Sequence, residues 1–179
     1  MAADGSIHKL PFERQAKIIC WKFALGDTKL STKYSVAGVA DRPIHRYVSE
    51  AAFKVLSEKA GELLREDGVA HKGSYGKFGI RIEHIIPTEV VYCHLDKFCQ
   101  PLKELYRQDK KKFYEQKRQK EAYIVKLIEE KLFCALITKE EDARLSKAGL
   151  RNKMPEGWSF ETGDMLARYR VVGIKMHTF

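Results

Sequence analysis

The run Ile80-Arg81-Ile82-Glu83-His84-Ile85-Ile86-Pro87 decides how this chain is read. It is rich in β-branched residues, alternates apolar with polar at its start, and is stopped by a proline, so it predicts a short strand. A second apolar run, Phe133-Cys134-Ala135-Leu136-Ile137, predicts a partner strand. Thr138 follows it with Glu141 three residues later, the T-x-x-E pattern of a capping box. The helix so opened is expected over Lys139–Ala148, with Gly149 as its stop.

Working outward, Pro11 opens an apolar-periodic run from Phe12 to Leu25 that Gly26 and Asp27 punctuate, which fits a helix. Ser31 to Pro43 reads either as a short strand or as a turn. From His45 to Glu66, the residues Tyr47, Ala51, Val55, Leu56, Ala60, Leu63 and Leu64 fall at helical spacing and predict a long amphipathic helix. Gly68 to Gly79 is glycine-rich, matches no phosphate-loop fingerprint, and is expected to be a turn leading into the strand. Asp96 to Leu132 lacks glycine and predicts one long helix or a helical pair. Met154 to Trp158 reads as a turn, and Asp164 to Tyr169 as a last short helix ending near Gly173. The expected fold class is α+β and mainly helical. All 179 residues are expected to form one domain: a helical part over 1–70, a two-strand and helix core over 78–95 and 133–153, and a helical insertion over 96–132.

Hydrophobic residues make up 44% of the chain, which excludes a wholly disordered polymer. The net charge of +9 favours a polyanionic partner such as DNA, RNA or anionic lipid. The longest apolar stretches are interrupted by Lys or Glu, and the N-terminus carries no signal-peptide pattern, so the expectation is no membrane span and a cytoplasmic protein. Cys20, Cys93, Cys99 and Cys134 form no C-x-x-C pair and are expected to be buried thiols.

The chemistry-bearing feature is the acid-His pair Glu83-His84 at a strand end, with a capped acidic helix turn at Glu140-Glu141-Asp142 after the second strand. An imidazole can deprotonate water near neutral pH, and carboxylates can hold a divalent ion that offsets charge on a phosphodiester. Neighbours on an ideal strand point to opposite faces, so Glu83 and His84 can share a site only where the strand twists or breaks. An acid-His pair on a strand is also an ordinary polar pair, and acids in a first helical turn are favoured by the helix dipole alone.

The acid-His-apolar-apolar-Pro run, followed by strand, Thr cap and helix, resembles the HNH (ββα-metal) endonuclease superfamily over about a quarter of the chain. The resemblance implies a small ββα-metal core and metal-dependent cleavage of DNA, as in a restriction or phage-type nuclease using Mg²⁺ or Mn²⁺. It implies His84 as general base, and Glu83 and Asp142 as metal ligands with Glu141 as the alternative. Glu83 stands where the family often has Asp, and Asp142 where it has His or Asn. Arg81 lies two residues before Glu83 and hence on the same strand face. Arg81, Arg144, Arg151, Asn152 and Lys153 are candidates for holding phosphate, with His71 and His94 as weaker ones. Residues 96–121 carry nine Lys or Arg against five Asp or Glu, and Lys110, Lys111 and Lys112 are the expected DNA contacts. Besides DNA, a homodimer is an expected assembly. The competing functions are a non-cleaving nucleic-acid-binding protein on a degenerate nuclease fold and a helical protein-interaction adaptor.

Overall fold

The computed structural model describes residues 11–26, 45–59 and 74–178. The readings made on Ser31–Pro43, on 60–66 and on 68–73, with His71, lie outside the described residues. The chain divides into two compact units, one from residues 1–42 and 86–132 and the other from 43–85 and 133–179. It is an α+β protein, with one small mixed sheet among the described residues.

The first unit contains three described helices: α1 (Phe12–Leu25), α4 (Thr88–Gln108) and α5 (Lys110–Lys131). Ala16, Ile19, Cys20, Phe23 and Ala24 form the buried stripe of α1 at i, i+3, i+4, i+7 and i+8. They meet Val91, Leu95, Cys99 and Leu102 of α4 and Phe113, Ile124 and Ile128 of α5, all buried. Gly26 closes α1 at φ 67°, a conformation that favours glycine, and its N–H reaches back to Phe23 O. The helical pair expected from residue 96 is real, but it begins earlier, just after Pro87. It is broken by one extended residue, Asp109, whose carboxylate accepts from Lys112 N at 3.0 Å and so caps α5.

The second unit holds β1 (His45–Ser49), α2 (Glu50–Glu58), α3 (Ser74–Lys77), β2 (Ile80–His84), β3 (Cys134–Thr138), α6 (Lys139–Lys147), α7 (Ala167–Val171) and β4 (Met176–Thr178). The sheet order is β2-β3-β1-β4. β3 is parallel to β1 and antiparallel to β2, while β4 is antiparallel to β1. Every residue of β3 is buried, which explains its unbroken apolar run. Val48, Ala52, Ile80 and Leu136 form a core on one sheet face, with Val55, Leu56, Tyr75 and Phe78 packed around it.

The sequence reading fails at residues 45–49, which form a strand and not the first turns of a helix. Tyr47 fits the helical period of Ala51 and Val55, but Ser49 ends the strand and caps α2 by accepting from Ala52 N at 3.0 Å. Cys93 also departs from expectation: it is exposed, whereas Cys20, Cys99 and Cys134 are buried. No helix among the described residues is long and apolar enough to cross a membrane.

Candidate functional site

β2 and β3 pair in register from Ile80↔Thr138 to His84↔Cys134, and α6 follows β3 directly. The expected succession of strand, strand and capped helix is therefore present. Residues opposite one another in an antiparallel pair share a face, and successive residues alternate. Glu83 thus lies on the face of Ala135 and Arg81, and His84 on the face of Cys134 and Ile82. Their contacts agree with this: His84 Nδ1 is 3.5 Å from Cys134 Sγ, while Glu83 Oε1 accepts from Arg168 Nη2 at 2.8 Å. The strand stays regular through His84, so the twist needed to bring both side chains to one centre does not occur.

Arg168, on α7, is the residue that sequence reasoning missed. Its side chain has no solvent exposure. A guanidinium has five N–H donors, and here they are matched: Nε donates to Ile85 O at 3.0 Å, and Nη1 to Leu150 O and Arg151 O at 3.1 Å each. Nη2 donates to Glu83 and to His84 O. The signal in the sequence was an arginine flanked by Ala167 and Tyr169 within a short helix whose apolar neighbours demand burial. Tyr169 is buried too, which pushes its phenol well above the ordinary tyrosine range; the Arg168 charge beside it acts in the opposite sense.

The acids of α6 have separate fates. Glu141 is buried and completes the capping box: Thr138 Oγ1 accepts from Glu141 N, and Glu141 Oε2 accepts from Thr138 N at 2.9 Å. The same Oε2 accepts from Ser49 Oγ at 2.5 Å, and Oε1 faces Arg144 at 3.6 Å. That hydroxyl bond joins the caps of α2 and α6 at the ends of the parallel strands β1 and β3. Asp142, one residue on, is half-buried.

A divalent ion can therefore be tested against the donor set itself. Glu83 is bound to an arginine, and both oxygens of Glu141 face hydrogen-bond donors. Among the described residues no group of three or more His, Cys, Asp or Glu side chains is placed to hold a metal. Glu83, Asp142, Glu141 and His84 are among the described residues and are not drawn into one such group.

The basic candidates fall in both units. Arg81, Arg144, Arg151, Asn152 and Lys153 are exposed in the second. Arg144 Nη1 also donates to Val172 O at 3.2 Å, tying α6 to the turn after α7. Lys110, Lys111 and Lys112 are exposed in the first unit, at the start of α5, with Arg107 exposed on the last turn of α4. Beneath them lies an aromatic cluster in which Trp21 meets Tyr106 at 5.6 Å and Phe113 at 5.3 Å between ring centroids. Lys110 Nζ stands 3.3 Å over the Tyr106 ring, and Tyr114, at the cluster's edge, is half exposed. His94, a weaker candidate, bonds Tyr123 Oη at 2.6 Å within the same unit. No family model matches this chain, and no curated protein or solved structure is significantly similar to it.

Proposed function

We propose that this protein binds DNA, with the α4–α5 corner as a phosphate-holding surface, on a ββα-type scaffold that does not cut it. The observation that carries the proposal is the corner itself: Arg107 at the end of α4 and Lys110, Lys111 and Lys112 at the start of α5 are exposed, and Tyr114 in the next turn of α5 is half exposed. Lysine and arginine neutralise phosphates and release counterions, and a tyrosine face accepts a stacked base. The net charge of +9 supports the same reading.

The lack of cleavage rests on Glu83 and Glu141. In a ββα-metal site these carboxylates would face an ion; here one neutralises a buried arginine and the other caps a helix. Metal-dependent hydrolysis with Mg²⁺ or Mn²⁺ is the second reading, favoured by the order of β2, β3 and the Thr138-capped α6 with His84 at the strand end. One pair of experiments separates the two readings. Retention of labelled duplex DNA that weakens steeply with salt, together with intact plasmid after incubation with Mg²⁺ or Mn²⁺, is the expected result. Nicking that EDTA abolishes would establish the nuclease, and absence of salt-sensitive retention would remove DNA as the partner.

A further inference from the structure

We propose that Cys20 of α1 and Cys99 of α4 are a dithiol that small-molecule disulfides oxidise to an internal disulfide, tying the two helices together. Both side chains are fully buried, and both are free thiols. Cys20 lies within the buried stripe of α1, between Ala16 and Phe23, and Cys99 within that of α4, between Leu95 and Leu102. The two helices pack against each other, and the Cys20 thiol hydrogen-bonds to Cys99. Thiols that touch from facing helices have converging Cβ vectors, a condition that the disulfide bond imposes. The other cysteines stand elsewhere: Cys93 is exposed on α4 beside Glu89, and Cys134 belongs to the second unit beside His84.

A thiolate, and not a thiol, attacks a disulfide. Contact with Cys99 and burial both hold the Cys20 proton well above the ordinary thiol range; Glu121 adds to the effect and Lys117 opposes it. The packed pair is therefore inert, and reaction waits until α1 lifts from α4. One cysteine then loses its proton and attacks a sulfur of the oxidant RSSR, whose S–S bond breaks as RS⁻ leaves. The second cysteine, deprotonated in turn, attacks the mixed disulfide and displaces the other RS⁻. The two leaving thiolates take up the two protons. Two Cys–SH and one RSSR thus become one Cys–S–S–Cys and two RSH. The link closes a loop of about 80 residues, which restricts the unfolded chain. It is independent of DNA binding, since neither cysteine lies on the α4–α5 corner.

Cys93→Ser removes the exposed thiol and leaves the buried ones for the test. The variant chain is incubated with oxidised glutathione over a urea series that stops just short of the unfolding midpoint, then digested, and its peptides are weighed. The expected product has lost the mass of two hydrogen atoms and yields one peptide pair joined through Cys20 and Cys99, at a rate that rises with urea as opening becomes frequent. After removal of urea, the linked chain should melt about 5–15 °C above the reduced one, and a reductant should erase the difference. Recovery of Cys20 and Cys99 as thiols, or as separate glutathione adducts, at the highest urea concentration would overturn the proposal. So would links to Cys134 as frequent as the link between the pair, because the folded contact would then confer no preference. A linked chain that melts at or below the reduced one would overturn it as well, by showing that the bond disrupts the α1–α4 packing.

Discussion

Arg168 Nη2 donates to Glu83 Oε1 at 2.8 Å from a side chain wholly out of water, while Glu83 itself is partly exposed. The asymmetry tells which partner depends on the other. A buried cation left without acceptors is costly, whereas a carboxylate near the surface can find water. Arg168→Met should therefore destabilise the second unit by about 3–5 kcal/mol, since the carbonyls of Ile85, Leu150 and Arg151 lose their donors too. Arg168→Lys should recover little, because an ammonium cannot reproduce the fork. Urea unfolding followed by circular dichroism measures this, and a loss below about 1 kcal/mol would show that the network contributes little to stability.

Glu141 offers a test of structural against metal-binding duty. Thr138 N and Ser49 Oγ both donate to it. Removing an N-cap partner costs about 0.5–2 kcal/mol, and stranding a buried hydroxyl adds about 1–3 kcal/mol. Glu141→Ala should lower the melting temperature equally in EDTA and in Mg²⁺. Destabilisation confined to the Mg²⁺ sample would return Glu141 to a metal site.

Local signals were legible and long-range ones were not. The Thr138–Glu141 box, the Pro87 stop and Gly26 each act within a few residues, and the elements they predict are observed. β1 was misread because its identity depends on pairing with β3, far away in sequence, and Tyr47 happened to fit a helical period. β4 has three residues and exists only through its bonds to β1. Asp109 caps α5 without an acid three residues on, so it lacked the fuller signature. At the candidate site the expectation was that Glu83 and His84 share one centre through a twist or break before Pro87; β2 stays regular through His84, and the pleat sends the two side chains to opposite faces. What could not be read was Arg168, which arrives from 84 residues beyond His84.

His84 should be dispensable for DNA retention. Its ring contacts Cys134 and lies on the core side of β2, away from Glu83. His84→Ala is expected to leave both the affinity and the salt dependence of binding unchanged. If plasmid nicking is observed with the native chain and lost in His84→Ala while the melting temperature holds, the imidazole is the general base of a nuclease after all.

Tyr169 ties stability to alkaline pH. Burial raises its folded pKa above the ordinary value of 10.0, so the folded state holds the phenol proton more tightly than the unfolded one. The resulting stabilisation is complete below pH 10 and is lost progressively as pH rises above that value. The second unit should weaken steeply on the alkaline side, and Tyr169→Phe should flatten that slope. Thermal melts at a series of pH values from neutral to strongly alkaline check it. An unchanged alkaline slope in the phenylalanine variant would mean that another group governs it.

The α4–α5 corner makes the strongest demand on binding data. Lys111 is exposed, Lys112 is exposed despite its 3.8 Å pairing with Asp109, and Lys110 rests over Tyr106. Such loosely held cations exchange a protein neighbour for a phosphate at little cost, since exposed ion pairs contribute about 0–1 kcal/mol. Reversing Lys110, Lys111 and Lys112 to Glu should weaken DNA retention across all sequences, with base preference unchanged. The slope of log affinity against log salt should shrink by about 0.9 for each phosphate no longer neutralised. Tyr114→Ala should act differently: it removes a stacking face, so single-stranded DNA should lose more affinity than duplex while the salt slope holds. If the triple reversal leaves the slope where it was, these lysines form a solvated helix face and DNA is held elsewhere, with Arg144, Arg151 and Lys153 of the second unit the next to be reversed.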